Sequence, residues 1–348
     1  MSRAINDHYS FYDGAERKGV ATAKNDKVIQ LEVPARHRWD IQHYTDSILA
    51  IGFVEESEER SARLAQCRRL IAEPTAARQA CLELEALGKE GIPALEESLQ
   101  NANPEIRFYA AYSLAYLDHP PAIPVLKELA IAIPEFRPLC LTGLQLHKHY
   151  LAKETLEQLL HEEEPELRYG ALLALRRRDT HDALSQGTKI GDLAHVVQIP
   201  SHKPMVAVSL QERPEIAIFG ENCAVTMKEF FEVNPRLTMR NEADGQIRIV
   251  RFQPSDEDLT AIVAPDLLSV LEGFRSIGGT YNDVVTWLDE ASRQNWIAAP
   301  IVMNPRPTAG RVYHRSAEAK ARAELAASGD ITQSPDNHSD KKPWWKFK

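Results

Sequence analysis

Several residue groups have the types that chemistry needs. His147-Lys148-His149 offers two imidazoles to a metal, but residues two apart on a helix face different sides, so the tripeptide reads as a polar loop between helices. His161-Glu162-Glu163-Glu164 offers carboxylates to a divalent cation and reads as a solvated loop. Asp118-His119 and Trp39-Asp40 bring together acid and base types, yet nothing supplies a nucleophile in a Gly-flanked elbow. No GxGxxG, P-loop or HExxH stands anywhere in the chain, and Gly278-Gly279 reads as a helix stop rather than a phosphate cradle. The four cysteines, Cys67, Cys81, Cys140 and Cys223, lack CxxC or zinc-ligand spacing and read as free thiols. The expectation is a protein without catalytic residues, metal or cofactor, and not an enzyme. The remaining chemistry is that of contact. Arg78, Arg107, Arg137 and Arg168 form a series suited to an acidic partner or to bridging successive structural units. Trp344 and Trp345, set among four lysines, have the composition of an interfacial anchor, so any membrane contact falls to this tail.

The elements that position these residues follow from an internal repeat. The four arginines each sit close behind a proline (Pro74, Pro104, Pro134, Pro165) and fall 29, 30 and 31 residues apart. Three residues after each comes a small residue: Cys81, Ala110, Cys140 and Ala171. Proline at a helix start fills a position whose N–H lacks a partner anyway, and an adjacent Glu favours the positive end of the helix. A small residue one turn further in lets a second helix approach. Such hairpins cannot bury their apolar faces alone, so they stack and share a core. The period is that of the short HEAT-like variety, also seen in bilin lyases, and predicts three full hairpins and part of a fourth within 57–185.

On either side the periodicity changes. Residues 2–11 predict a helix, Gly19–Ala23 and Val28–Val33 two strands around an Asn25-Asp26 turn, and Trp39–Ile51 a helix with one apolar face. Behind the repeats, 195–199, 205–210 and 215–219 are β-branched and punctuated by prolines, as strands are. Leu237–Arg240 and Gln246–Phe252 flank Asp244-Gly245 as a hairpin. Helices over 265–277 and 281–295, the second capped by Thr280, precede a closing strand at 297–303. From Asn304 the chain is poor in apolar residues and reads as a disordered basic tail, apart from a helix at 316–327.

The 348 residues suffice for two or three domains of about 100–200 residues each. Net charge is −9, and residues 304–348 carry nine Lys/Arg against five Asp/Glu, so the tail is +4 and the body −13. An acidic body argues against nucleic acid as a partner. No apolar run approaches the ~20 residues of a membrane span, and the opening MSRAINDHYSFYDG shows no export signal, a pattern that by itself predicts the cytoplasm.

The two flanking stretches resemble the second half of the flagellar basal-body P-ring protein. In front, Ala4-Ile5-Asn6, Ala21-Thr22-Ala23 and Val28-Ile29-Gln30-Leu31-Glu32-Val33-Pro34 are similar to that family's helix, strand and strand ending in Val-Pro. Behind, Glu215-Ile216-Ala217-Ile218 with Cys223-Ala224-Val225 is similar to its later strands. The closest likeness is Leu267–Phe274, Ile277-Gly278-Gly279-Thr280, Asp283–Leu288 and Trp296–Ala299, which keep the family's order of helix, small-residue break, helix and short strand. The likeness covers about 1–55 and 195–303; the family's N-terminal half and signal peptide have no counterpart, and the repeats interrupt its domain. It implies an α+β, P-ring-type α/β domain (1–56 and 186–303) interrupted by a HEAT-like α-solenoid (57–185) and followed by a tail (304–348). It also implies a structural function: periplasmic subunits that self-associate side by side into a ring around the flagellar rod, as a bushing, through exposed strand edges near Val28–Val33 and Met205–Leu210. The rival reading is a cytoplasmic HEAT-repeat adaptor for a protein partner; a bilin-lyase-like enzyme would need a tetrapyrrole pocket. If the solenoid is a loop insertion, replacing 75–184 by a linker should leave the flanks folding together.

Overall fold

The computed structural model describes residues 1–13, 16–52, 56–227, 230–308 and 310–316. It is a mixed α+β structure, with Met1–Ala309 forming one compact unit. The first segment holds α1 (Ser2–His8), β1 (Ser10–Asp13), β2 (Glu16–Gly19), β3 (Ala21–Ala23) and β4 (Ile29–Leu31). A 3-10 turn at Ala35–His37 then leads into α2 (Ile41–Leu49). The expected helix over 2–11 ends early because Tyr9 is extended and β1 begins at Ser10. β1 pairs with β2, β3 pairs with β4, and Ile5, Val20, Tyr44 and Ile48 form a small core beneath them.

The helical block comprises α3 (Ser57–Leu70), α4 (Ala77–Ala86), α5 (Ile92–Ser98), α6 (Pro104–Tyr116) and α7 (Ala122–Ala132). It continues with α8 (Arg137–Leu146), α9 (Tyr150–Leu159), α10 (Pro165–Arg178) and the short α11 (Ala183–Gln186). α4, α6, α8 and α10 pack against one another in chain order, α7 and α9 form a second row, and α5 closes on α6. Each expected small residue is buried inside a helix of the first row: Cys81, Ala110, Cys140 and Ala171. The prolines work as local chemistry requires. Pro104 and Pro165 open α6 and α10, and Asn103 caps α6 by accepting from the Glu105 N–H at 2.9 Å.

The remaining elements are β5 (Thr188–Ile190), β6 (Ala194–Ile199), β7 (Met205–Val208), β8 (Glu215–Phe219), β9 (Phe230–Asn234) and β10 (Leu237–Asn241). After them come β11 (Ile247–Arg251), β12 (Leu259–Val263), α12 (Leu267–Ser276), α13 (Tyr281–Gln294) and β13 (Ile301–Met303). A mixed five-stranded sheet has the order β13-β7-β8-β6-β5, and an antiparallel meander the order β12-β11-β10-β9. β7 and β8 are buried on both faces, which is why they read as continuous apolar runs rather than alternating ones. One face joins α12, α13 and the meander in a core centred on Phe274 and Trp287. The helix break is built as the sequence implies. Gly278 turns the chain at φ 70°, and Thr280 and Asp283 form a reciprocal capping box that starts α13.

Three expectations change. Met205–Leu210 is not an exposed edge: β7 lies between β8 and β13, because the closing strand adds to it in parallel. Among the described residues, no strand of the first segment pairs with a strand of 186–303; the first segment packs instead on the helices. Residues 304–308 belong to the folded unit rather than to a tail. Pro305 is buried, the Thr308 N–H donates to Glu166 at 2.8 Å, and Pro307 sits against Gly170, where a Cβ would collide with it. The expected helix at 316–327, apart from its first residue, and the Trp344-Trp345 terminus lie outside the described residues.

Candidate interaction surfaces

The residues singled out for chemistry are held in structural roles. Asp40 caps α2, accepting from the His43 N–H at 2.9 Å, and its other oxygen accepts from the Tyr112 hydroxyl at 2.7 Å. Asp118, at φ 54°, receives both Arg36 guanidinium nitrogens at 2.9 and 3.1 Å and the Lys148 N–H at 2.9 Å. His147 and His149 occupy the loop between α8 and α9. The His149 side chain caps α9, and the buried His147 ring accepts the His149 N–H at 3.1 Å. Arg178 gathers the carbonyls at the end of α8, donating to those of Gln145, His147 and His149. Within His161–Glu164, Glu163 pairs with Lys203, and no group of three or more His, Cys, Asp or Glu among the described residues can hold a metal. All four cysteines are free and buried, and burial raises their thiols above the usual range, Cys67 to about 12.

The arginine series divides. Arg137 is buried and links three units: its Nε donates to the Ala130 carbonyl of α7 at 3.0 Å, and its Nη1 pairs with Glu166 of α10 at 2.8 Å. Arg168 links the helices to the sheet. It donates to Leu160 O at 3.1 Å, Ser201 Oγ at 3.1 Å and Lys203 O at 2.6 Å, and lies 4.5 Å over the Phe219 ring. Arg107 stays within its own hairpin on Glu128, and Arg78 reaches back to Asp46 of α2. So the four share a sequence position but not a role.

Two clusters that the sequence reading did not assemble carry more of the packing. First, His37 and His43 both stack on the Tyr116 ring, with centroids 4.9 and 4.0 Å away. Burial would lower the His43 pKa, but the Glu85 carboxylate, 3.0 Å from Nε2, outweighs that and raises it. Among the described residues no carboxylate pairs with His37, and burial holds it neutral, with its pKa lowered to about 3. Cavities of about 180 and 540 Å³ flank the stack; Leu82, Phe108, Tyr112 and Leu139 line the smaller. Second, Glu215 on β8 is fully buried, accepts from the Tyr169 hydroxyl of α10 at 2.9 Å and from Arg213 at 2.6 Å, and forms an ion pair with Arg176 at 2.5 Å. Both clusters join residues more than 40 positions apart, so no local spacing announces them.

Several strand edges face outward. β4 is a three-residue strand paired only with β3, and Val28 and Val33 beside it are exposed. The meander leaves two five-residue edges, β9 and β12, where Phe230 is 62% and Ile262 49% exposed. No protein-family model, curated protein or solved structure matches the chain.

Proposed function

We propose that the protein is a structural subunit of P-ring type in the bacterial flagellar basal body, exported to the periplasm, where copies assemble side by side around the rod. One observation carries the reading. The closing run on which the resemblance rests most heavily builds the α+β core, in the order the resemblance requires: α12, the Gly278-Gly279 break, α13 and the 296–299 segment that leads into β13. Leu267, Val270, Leu271, Phe274, Val284, Trp287, Leu288, Trp296 and Ile297 are all buried there. In this run the likeness lies in residues that specify packing, whereas Val28 and Val33 of the first segment are exposed. In this reading the helical block is a HEAT-like insertion, held by the first segment on one side and by the Arg168 and Glu215 contacts on the other.

The smaller cavity favours a second reading, in which the helical block is an adaptor. Leu82, Phe108 and Leu139, with Arg78 and Asp40 beside them, form an apolar groove with polar groups at its rim. Purified hook–basal bodies from the source organism separate the two. Stoichiometric recovery of the chain's peptides by mass spectrometry supports the ring subunit. Their absence there, with recovery in the cytoplasmic fraction, favours the adaptor.

A further inference from the structure

We propose that copies of this chain join by continuing the β9–β12 meander from one subunit into the next, β12 of one copy pairing antiparallel with β9 of its neighbour. The proposal rests on the ring reading above and names its interface. An edge strand presents unpaired backbone groups and is normally blunted by being short, charged or interrupted by proline. The edges of the five-stranded sheet are of that kind: β5 and β13 are three residues long, and β5 carries Lys189. β12 is not. Leu259-Thr260-Ala261-Ile262-Val263 has five residues, no charge, no proline and no glycine, and Leu259 and Ile262 stand 40% and 49% exposed. Such a strand calls for a cover.

Three features of the meander point to a second copy as that cover. The first is direction. In a four-stranded antiparallel sheet the two edge strands run opposite ways, so identical copies placed side by side in the same orientation bring β12 and β9 together antiparallel. That is the head-to-tail, heterologous contact that a closed ring needs. The second is register. Across the sheet, Phe230 faces Arg240, Arg240 faces Arg248 and Arg248 faces Ile262, so the exposed Phe230 and Ile262 end one cross-strand row. Joining them puts a large apolar pair across the new seam and sets Glu232 beside Thr260 in the next row. It also keeps the core-facing Phe231 and Val233 on the same side as Ala261 and the exposed Leu259. The third is charge. Antiparallel pairing puts the β9–β10 turn, with Arg236, at the same end of the seam as Asp256 and Asp258, just before β12, and all three are exposed.

The test is cross-linking of the full chain. The native thiols are buried and weakly acidic, so they supply little background. Phe230→Cys and Ile262→Cys are made singly and together, treated with a short bis-maleimide, and read on denaturing gels, alongside sedimentation of the untreated wild type. The expected result is a ladder of dimers, trimers and higher species from the double variant, with each single variant remaining monomeric on the gel. Dimers from Ile262→Cys alone would mean two-fold β12–β12 pairing and overturn the proposal. A wild type that sediments as an oligomer, with no ladder from the double variant, would place the interface elsewhere, overturning the proposal while leaving the ring reading standing. A wild type that stays monomeric at every concentration, with no ladder, would remove both. As a second check, Ile262→Lys should dissociate oligomers of the wild-type length, and adding Phe230→Glu to that variant should restore them. Restoration would not follow if the lysine had merely disturbed the fold.

Discussion

At the scale of single residues, equivalent sequence positions have unequal consequences. Arg137 is buried and paired across units, so Arg137→Ala removes the cation facing the Glu166 carboxylate and should cost about 3–5 kcal/mol in chemical denaturation. Arg78 has a half-exposed side chain, solvent screens its pairing with Asp46, and Arg78→Ala should cost under about 1 kcal/mol. Equal losses at the two sites would refute this division. The histidines set opposite pH dependences. His37 is neutral when folded, with a pKa of about 3 against an ordinary 6.5, so the unfolded chain takes up the proton first as pH falls. Its contribution is complete above the ordinary value and is lost between about 6.5 and 3. His43 is raised, so its contribution is complete below the ordinary value and is lost as pH rises through the raised one. His37→Phe should therefore flatten the acid side of a plot of urea midpoint against pH, and His43→Gln the alkaline side. The small residues Cys81, Ala110, Cys140 and Ala171 were legible because close helix approach excludes anything larger. The arginines' individual partners were not, because each guanidinium takes the carboxylate or carbonyl that its own neighbours present: Asp46, Glu128, Glu166 with the Ala130 carbonyl, and the Leu160 and Lys203 carbonyls.

At the scale of elements, the sequence spoke most clearly where pattern and packing coincide. The helix starts after Pro104 and Pro165, the Asp244-Gly245 turn and the Thr280 cap were all readable, since each is a local solution to unpaired backbone groups. β9 and β12 escaped notice. Each has a short run of mixed polarity whose partner is defined only by the strand beside it. The edge status of β7 was misjudged for the same reason: β13 arrives from nearly a hundred residues downstream. Ala110 offers a direct test of the helical stack. It is fully buried in α6, and Ala110→Glu would put a charge without a partner between packed helices, costing several kcal/mol, roughly. Loss of the far-UV helical signal at lower denaturant checks this; an unchanged midpoint would mean that the helices part easily.

At the scale of the whole molecule, the first segment is the part least foreseen. From Arg36 to Ala50 the chain crosses the helical block against the order of the repeats. Trp39 meets Arg177 of α10, Asp40 meets Tyr112 of α6, His43 and Asp46 meet Glu85 and Arg78 of α4, and the Ala50 carbonyl receives Arg63 of α3 at 2.9 Å. Replacing 75–184 by a short linker should therefore strip Trp39, Asp40, His43 and Asp46 of the residues they meet. The expected outcome is protection from amide exchange over 188–303 and its loss over 1–51; protection retained in both would restore the picture of two flanks folding on each other. The crossing segment also bears on mechanics. A stack of helical hairpins behaves as a spring, since each unit grips only its neighbours and can open by a little at every joint. Here one stretch of chain is fastened to four of the helices at once, so the joints cannot open independently and the compliance of the stack is lost. The block should carry load as a strut, passing force between its ends with little extension until the fastening gives way.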